Sequence, residues 1–255
     1  MQAVILAAGV GQRLGAEAQQ RPKSLLEFDG ISLLARHLHI LAHYGIEHVS
    51  VVTGYEHAQI EAALLASNNT LKLDISTLYN PEFRLGSVIS FHTAAPILTS
   101  GDDVLLMDAD VLYDMHMIDR LIKTRHANCF LLDRDFIPGD EPVKLCVQNN
   151  RLIDFRKRID KNLRFDFQGE SVGFFRFSAA MATGLIERAK AYIEADRNTE
   201  PYEEIIRDAL LADTTAFGFE DVSGLAWIEI DFPEDIERAR QEILPAITLP
   251  QSIST

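Results

Sequence analysis

Residues 1–15 read MQAVILAAGVGQRLG, and past a polar gap residues 21–30 read RPKSLLEFDG. The apolar run from Ala3 to Ala7 is too short for a helix and stops at glycines, the punctuation of a buried strand reaching the edge of its sheet. Gly9, Gly11 and Gly15 lack Cβ atoms and let the backbone come close to a ligand. A turn rich in free amide N–H groups is an anion cradle, and Arg13 and Lys23 add fixed positive charge at its two ends. The guest such a loop suits is a nucleoside triphosphate. Two other glycine loops fit less well. The dinucleotide fingerprint needs glycine where this chain has Leu14, and a P-loop needs Gly-Lys-Ser/Thr where Ala16 follows Gly15.

A chain of 255 residues, 47% hydrophobic, has room for one large α/β domain or two small ones. The net charge of −14 argues against nucleic acid or an anionic membrane as partner, since both would be repelled. An anionic ligand must then be met by local basic groups. Cys129 and Cys146 lie in apolar runs without metal-ligand spacing and read as small buried hydrophobes. No charged start followed by an apolar stretch is present, and no run approaches the roughly 18 apolar residues of a membrane span, so a cytoplasmic protein is expected.

Downstream, SLLARHLHILAHYG places Leu33, Leu34, Leu38 and Leu41 at helical spacing before Gly45, a natural stop. His37, His39 and His43 on that helix have no carboxylates at ligand spacing and read as packed or solvated. EHVSVVTG as strand and HAQIEAALLA as helix give a βαβα start, hence a parallel sheet with right-handed crossovers. LDISTLYNPEFRLGSVISFHT combines a strand, a turn at Asn80-Pro81 and a helix with Ser87 as N-cap. In DDVLLMDADVLYD the strand from Val104 to Met107 runs straight into Asp108-Ala-Asp110. Side chains spaced by one residue emerge on the same side, beyond the carboxyl end of a strand where open α/β sheets bind ligands. Such carboxylates can hold a divalent cation against phosphate oxygens, and oxygen-only ligation favours magnesium or manganese. A helix is expected from Met115 to His126, then NCFLLD as a strand. Beyond Pro138 short strands take over, with a hairpin turning at Asn149-Asn150 and basic residues Lys144, Arg156, Lys157 and Arg158. Two further helices begin near Ser178 and Pro201. In WIEIDFPEDI, Trp227, Ile228 and Ile230 form a short strand with Glu229 and Asp231 pointing the other way, and Pro233 starts a terminal helix. The tail after Pro245 is polar and expected to be loosely held.

LAAGVGQRLG with PKSLL resembles the signature of the sugar-phosphate nucleotidylyltransferase superfamily, and the resemblance runs from Met1 to about Ile243. YNP, VKLCV, ESVGFF and WIEIDFPEDI look most like the phosphocholine and aminoethylphosphonate cytidylyltransferase branch. The plain sugar-nucleotide branch carries Pro-Leu-Thr before its lysine, where this chain has AEAQQR. The resemblance implies a single GT-A-like, Rossmann-like α/β domain over residues 1–245, with a mixed, mainly parallel central sheet. Residues 1–135 would form the nucleotide-binding half, residues 136–245 a β-rich acceptor half, and residues 246–255 the loose tail.

It further implies transfer of CMP from CTP to a small phosphate or phosphonate, with pyrophosphate leaving and Mg2+, or Mn2+, as cofactor. Arg13 and Lys23 would be catalytic. Leu6, Ala7, Ala8, Gly9, Gly11 and Asp108 would bind the nucleotide, with Gly86, Ser87 and Ser90 on the base side. Asp110 and Asp231 would hold the metal, with Glu229 as a third ligand. Lys144, Lys157, Glu170 and Gly173 would meet the acceptor. A cationic acceptor head would find Glu170, Glu229, Tyr113, Tyr202 or Trp227. The alternatives are a sugar-1-phosphate or polyol-phosphate acceptor, a nucleotide-sugar glycosyltransferase, and a non-catalytic nucleotide-binding subunit. The oligomeric state is not legible in the chain.

Overall fold

The computed structural model describes residues 1–17 and 21–253; half of the AEAQQR gap, residues 18–20, lies outside the described residues. The chain opens with β1 (Gln2–Ala7), a hairpin of β2 (Glu27–Phe28) and β3 (Ile31–Ser32), and α1 (Leu33–His43). It continues through β4 (His48–Thr53), α2 (His57–Leu71), β5 (Asp74–Tyr79), α3 (Ser87–Thr93) and α4 (Ala95–Leu98). Then come β6 (Val104–Asp108), β7 (Val111–Tyr113), α5 (His116–Lys123) and β8 (Cys129–Asp133). The later elements are β9 (Lys144–Gln148), β10 (Arg151–Arg156), β11 (Phe167–Phe177), α6 (Ala179–Glu194) and α7 (Glu203–Ala212), followed by β12 (Gly218–Asp221), β13 (Trp227–Glu229) and α8 (Pro233–Arg238).

Nine strands form one mixed sheet in the order β10-β9-β11-β6-β1-β4-β5, with β8 and β12 continuing from the other side of β11. The block β6-β1-β4-β5 is parallel. β11 reverses direction and stitches the halves together, pairing antiparallel with β9 through Phe167–Glu170 and with β6 through Phe174–Phe177. Alternation along β1 explains the layers. Ala3 and Ile5 face a core built with α1, α2 and α5, while Val4 faces a second core built with α3, α6 and α7. Each face of the sheet is therefore covered by helices. No helix among the described residues is long and apolar enough to cross a membrane.

Local signals act as expected in most places. Ser32 Oγ accepts from Ala35 N at 3.1 Å to cap α1, which ends before Gly45 at φ 73°. Ser178 caps α6 in the same way. Asn149 and Asn150 both take positive φ, the requirement of a two-residue hairpin turn, and join β9 to β10. Cys129 and Cys146 are fully buried, and burial pushes both thiols up to about 12, so they are inert. His37 is buried against the Tyr113 hydroxyl at 3.2 Å.

Three expectations are corrected. Gly86 rather than Ser87 is the N-cap of α3; Ser87 Oγ instead accepts from Tyr202 N at 2.9 Å. The fifth helix stops at Lys123 because Thr124 is extended, so residues 124–126 are not helical. The segment after Pro245 is tied down: Thr248 N donates to Asp114 Oδ2 at 2.7 Å, Met115 N donates to Thr248 O at 3.0 Å, and Leu249 packs on the core.

Gly169 sits where β11 is squeezed between neighbours, and a Cβ there would lie 2.5 Å from Leu132 Cδ2 and 2.6 Å from the Asp133 carbonyl. A backbone oxygen cannot swing aside as a side chain can. Gly169→Ala is expected to lower unfolding free energy by about 1–3 kcal/mol, read from urea denaturation midpoints. An unchanged midpoint would show that the strands can part there at no cost.

Candidate active site

β1 and β6 lie side by side with Leu6 opposite Asp108, so the glycine loop and the Asp108-Ala-Asp110 turn emerge from the same edge of the sheet. A third, small apolar cluster fixes what projects from that edge. Leu14, Phe28, Leu33, Leu112, Ile228, Ile230 and Ile236 pack together, tying the glycine loop to β7, β13 and α8. Leu14, the residue that spoils the dinucleotide fingerprint, is 1% exposed and anchors the loop. β13 pairs antiparallel with β7 outside the large sheet, and Ile230 N donates to Asp110 O at 2.9 Å. That pairing carries Glu229 and Asp231 to Asp110.

Asp110, Glu229 and Asp231 offer carboxylate oxygens that all lie within 4.8 Å of one another. Lys23 Nζ reaches Asp231 at 2.5 Å and Asp110 at 3.2 Å. Burial alone would lower the Lys23 pKa, but Asp110, Asp231 and Glu229 outweigh it and the net direction is up, so the ammonium stays charged. Arg13 donates to Asp231 at 2.6 Å through one guanidinium nitrogen and to Glu141 at 2.8 Å through the other. Its guanidinium also lies over the Phe232 ring, 5.1 Å from the centroid. Lys157 Nζ donates to the same Glu141 oxygen at 3.2 Å.

Behind this row, Tyr202 O–H donates to Asp108 Oδ2 at 2.9 Å. Burial, followed by the charges of Asp110, Glu203 and Glu229, pushes the Asp108 carboxyl well above its ordinary range. Gly173 takes φ 79°, and a Cβ on it would collide with Asp108 Oδ2. It therefore serves the site as the gap that Asp108 fills. Glu203, which the sequence did not single out, lines the same recess with Lys157 and Glu229, and its Oε2 is buried with no hydrogen-bond partner among the described residues.

Several expected ligand-binding side chains are already spoken for. Lys144 Nζ is buried and donates to the carbonyls of Gly139 at 2.6 Å, Lys157 at 2.8 Å and Pro142 at 3.2 Å, so its three protons fasten the 139–142 loop and reach no acceptor. Ser90 Oγ accepts from Asn80 Nδ2 at 3.0 Å, and Gly86 is glycine because a Cβ would strike the backbone of Thr199 and Glu200. Together with Ser87 these residues hold α3 in place. Tyr113 is 2% exposed in the core beside His37 and faces no cleft. Gly9 is open around its missing Cβ, and Gly11 has φ 68°. Gly54, unremarked in the sequence, supports the loop from below: a Cβ there would lie 2.8 Å from the Ala8 carbonyl.

A cavity of about 250 Å³ opens beside the carboxylates, lined among others by Asp133, Asp135, Glu170, Trp227 and Glu229. Trp227 Nε1 donates to Asp133 Oδ2 at 2.8 Å, which holds the indole on the wall. Burial, then the nearby Asp133 charge, lifts Glu170 to about 7, against pulls the other way from Lys144 and Lys157.

A parallel block within a mixed sheet, with a glycine loop and a carboxylate trio at its edge, defines a nucleotide-handling α/β domain. The chain belongs to the family described as the MobA-like NTP transferase domain, whose pattern matches residues 3–154. It is 29% identical over 246 residues to the CMP-5'-(3-aminopropyl)phosphonate synthase of Streptomyces rubellomurinus, covering 94% of this chain and 38% of that protein. It is 34% identical over 135 residues to the choline-phosphate cytidylyltransferase of Haemophilus influenzae, covering 52% and 53%. The chain thus spans about half or less of the length of these relatives. The inositol-1-phosphate CTP transferase of T. maritima superposes with a TM-score of 0.76 at 19% identity, over 97% of both chains. The CTP:phosphocholine cytidylyltransferase of Streptococcus pneumoniae does so at 0.71 and 17%, over 94% of this chain and 97% of that one. These likenesses establish the fold.

The lifted Glu170 pKa has a measurable consequence. Its proton is held more tightly in the folded chain than in the unfolded one, where the value is near 4.5. The stability it contributes is present in full below about pH 4.5 and is lost as pH rises through about 7. Glu170→Gln keeps the shape and removes the titration. The variant's melting temperature is expected to rise relative to the native chain by several degrees between pH 5 and pH 8. A difference independent of pH would show that Glu170 ionises freely.

Proposed function

We propose that the chain is a cytidylyltransferase, moving CMP from CTP to a small phosphate or phosphonate that carries a cationic end, with release of pyrophosphate. The observation that carries this reading is the convergence of Lys23 with Asp110, Glu229 and Asp231 at the mouth of the glycine loop. A glycine loop alone would only bind phosphate. A charged lysine beside a carboxylate trio supplies what phosphoryl chemistry needs, which is positioned charge at the reacting phosphorus.

The trio is all oxygen and compact, the donor set of a hard divalent cation, and fits Mg2+, or Mn2+. Bound there, the ion would neutralise phosphate charge. The protein's own groups do the rest. An acceptor oxygen forms the new bond to the α-phosphorus as the bond to pyrophosphate breaks, and the acceptor is already anionic, so no protein nucleophile is required. Lys23 turns from its carboxylates to the α-phosphate, Arg13 meets the departing pyrophosphate, and Lys157 meets the acceptor. Asp133, Asp135 and Glu170 around the Trp227 face suit the acceptor's cationic end, as do the aminopropyl and choline groups in the names of two relatives. CTP as donor is supported by the same names and by those of the two solved neighbours. An intracellular nucleotide as donor carries a cytoplasmic location with it.

Pyrophosphate release should be measured with each of the four ribonucleoside triphosphates against choline phosphate, aminoethylphosphonate, aminopropylphosphonate, inositol phosphate and glucose 1-phosphate. CTP with a cationic acceptor is expected to be fastest. Release only with a neutral sugar or polyol phosphate would overturn the acceptor assignment, and no release with any pair would overturn the activity.

Asp110→Ala and Asp231→Ala each remove an oxygen donor without opening the core. Each is expected to slow turnover by at least about 100-fold, by analogy with a lost charge-stabilising contact, and to weaken Mn2+ binding seen by electron paramagnetic resonance. Near-native Mn2+ affinity in both variants would remove the trio as a metal site.

A further inference from the structure

Glu141 was not marked by the sequence and has no place in the mechanism above, yet it connects the two sides of the cleft. One carboxylate oxygen, Oε2, accepts from Arg13, 128 residues away, and from Lys157, 16 residues away. Two cations drawn to within hydrogen-bond reach of one point would repel each other without an anion between them. We propose that Arg13 and Lys157 form an oxyanion subsite at the junction of the departing pyrophosphate, met by Arg13, and the acceptor's phosphate or phosphonate, met by Lys157, and that Glu141 fills it as an internal surrogate which the incoming group displaces.

A phosphate oxygen presents the same charge and the same acceptor lone pairs to Arg13 and Lys157 as the Glu141 carboxylate, in greater number. The site is built for exchange. The three side chains are 43%, 57% and 46% exposed, the regime in which ion pairs are weak and readily swapped. Lys157 first, and then Arg13, hold Glu141 below its usual carboxylate range, so it is an anion at neutral pH. The backbone around it is fastened separately, because Lys144 grips Gly139 O and Pro142 O on either side and Lys157 O across the gap. Glu141 can therefore release its cations without unfolding its loop. Its position is also right: it lies on the rim shared by the acidic cavity beside Trp227 and a second cavity of about 340 Å³ lined by Arg156, Lys157 and Arg158. An anion between Arg13 and Lys157 would stand next to Asp231 and hence to the reacting centre, while a cationic tail would extend toward Glu170. The assignment of the anion to the acceptor rests on the transferase reading; the subsite itself does not.

Calorimetric titration of the full chain with methylphosphonate and with inorganic phosphate, without nucleotide or metal, tests the surrogate. Glu141→Ala is expected to bind both about three- to tenfold more tightly than the native chain, because no internal anion has to be expelled. Arg13→Ala/Glu141→Ala should lose that gain. Glu47→Ala, which removes an equal charge from an exposed position outside the cleft, should change affinity by less than about twofold. Equal affinity in Glu141→Ala and the native chain, or an equal gain in Glu47→Ala, would overturn the subsite. If Glu141→Ala shows the gain while no triphosphate yields pyrophosphate, the subsite stands and the transferase reading falls. The reverse pattern discards the surrogate alone.

Discussion

Three carboxylates gathered within 4.8 Å repel one another, and a cation standing among them offsets that repulsion. Lys23 performs that service, with its ammonium between Asp110 and Asp231. The interaction joins parts of the chain that are far apart: the loop after β1, the turn after β6 and the strand before α8. Since the partners of Lys23 are also the donors a divalent ion needs, the contact that stabilises the free protein is the one a metal would compete for. The cost of assembling the site is thereby met by a group that the proposed reaction would also use.

From Lys23 the charges alternate in an unbroken row, from Asp110 through Lys23, Asp231, Arg13 and Glu141 to Lys157. The chain carries a net charge of −14, a poor starting point for binding a triphosphate and a second phosphate. Local arrangement overcomes it. Arg13, Lys23 and Lys157 are brought together in the row, each paired with a carboxylate. The apolar cluster of Leu14, Ile228, Ile230 and Ile236 sets the spacing, and it does so with side chains that have no part in the chemistry.

What was legible in the sequence follows from which properties are local. Strand ends are local, so an apolar run stopping at Gly9 and another stopping at Asp108 could be placed at one sheet edge, and Arg13, Lys23, Asp110 and Asp231 do meet there. The parallel block β6-β1-β4-β5 was readable for the same reason. The use of a polar atom is not local. Lys144, Ser87 and Ser90 have the right chemistry for a phosphate or a base, but each also engages a partner brought up by tertiary folding, and nothing in the neighbouring residues announces it. Glu141 fails in the opposite direction: in a loop between strands it reads as an ordinary solvated acid, and only the fold places it against two cations. Gly173 was singled out for the acceptor, and in the fold its missing Cβ makes room for Asp108.

The alternation of charge also bears on selectivity. A bare cluster of Arg13, Lys23 and Lys157 would be costly to assemble and would hold any phosphate that came by. With each cation already paired, a ligand gains only the difference between its own contacts and those it breaks. A lone phosphate replaces one carboxylate and gains little. A triphosphate arriving with a divalent ion would replace several at once, because the ion would be held by Asp110 and Asp231 while the phosphates would meet the cations those residues release. The row thus favours ligands that bring both signs of charge, and a metal–nucleotide complex and a zwitterionic acceptor are each of that kind. The acidic wall of Asp133, Asp135 and Glu170 extends the same logic past Lys157, where an acceptor's positive end would offset a carboxylate repulsion that is already reflected in the lifted Glu170 pKa.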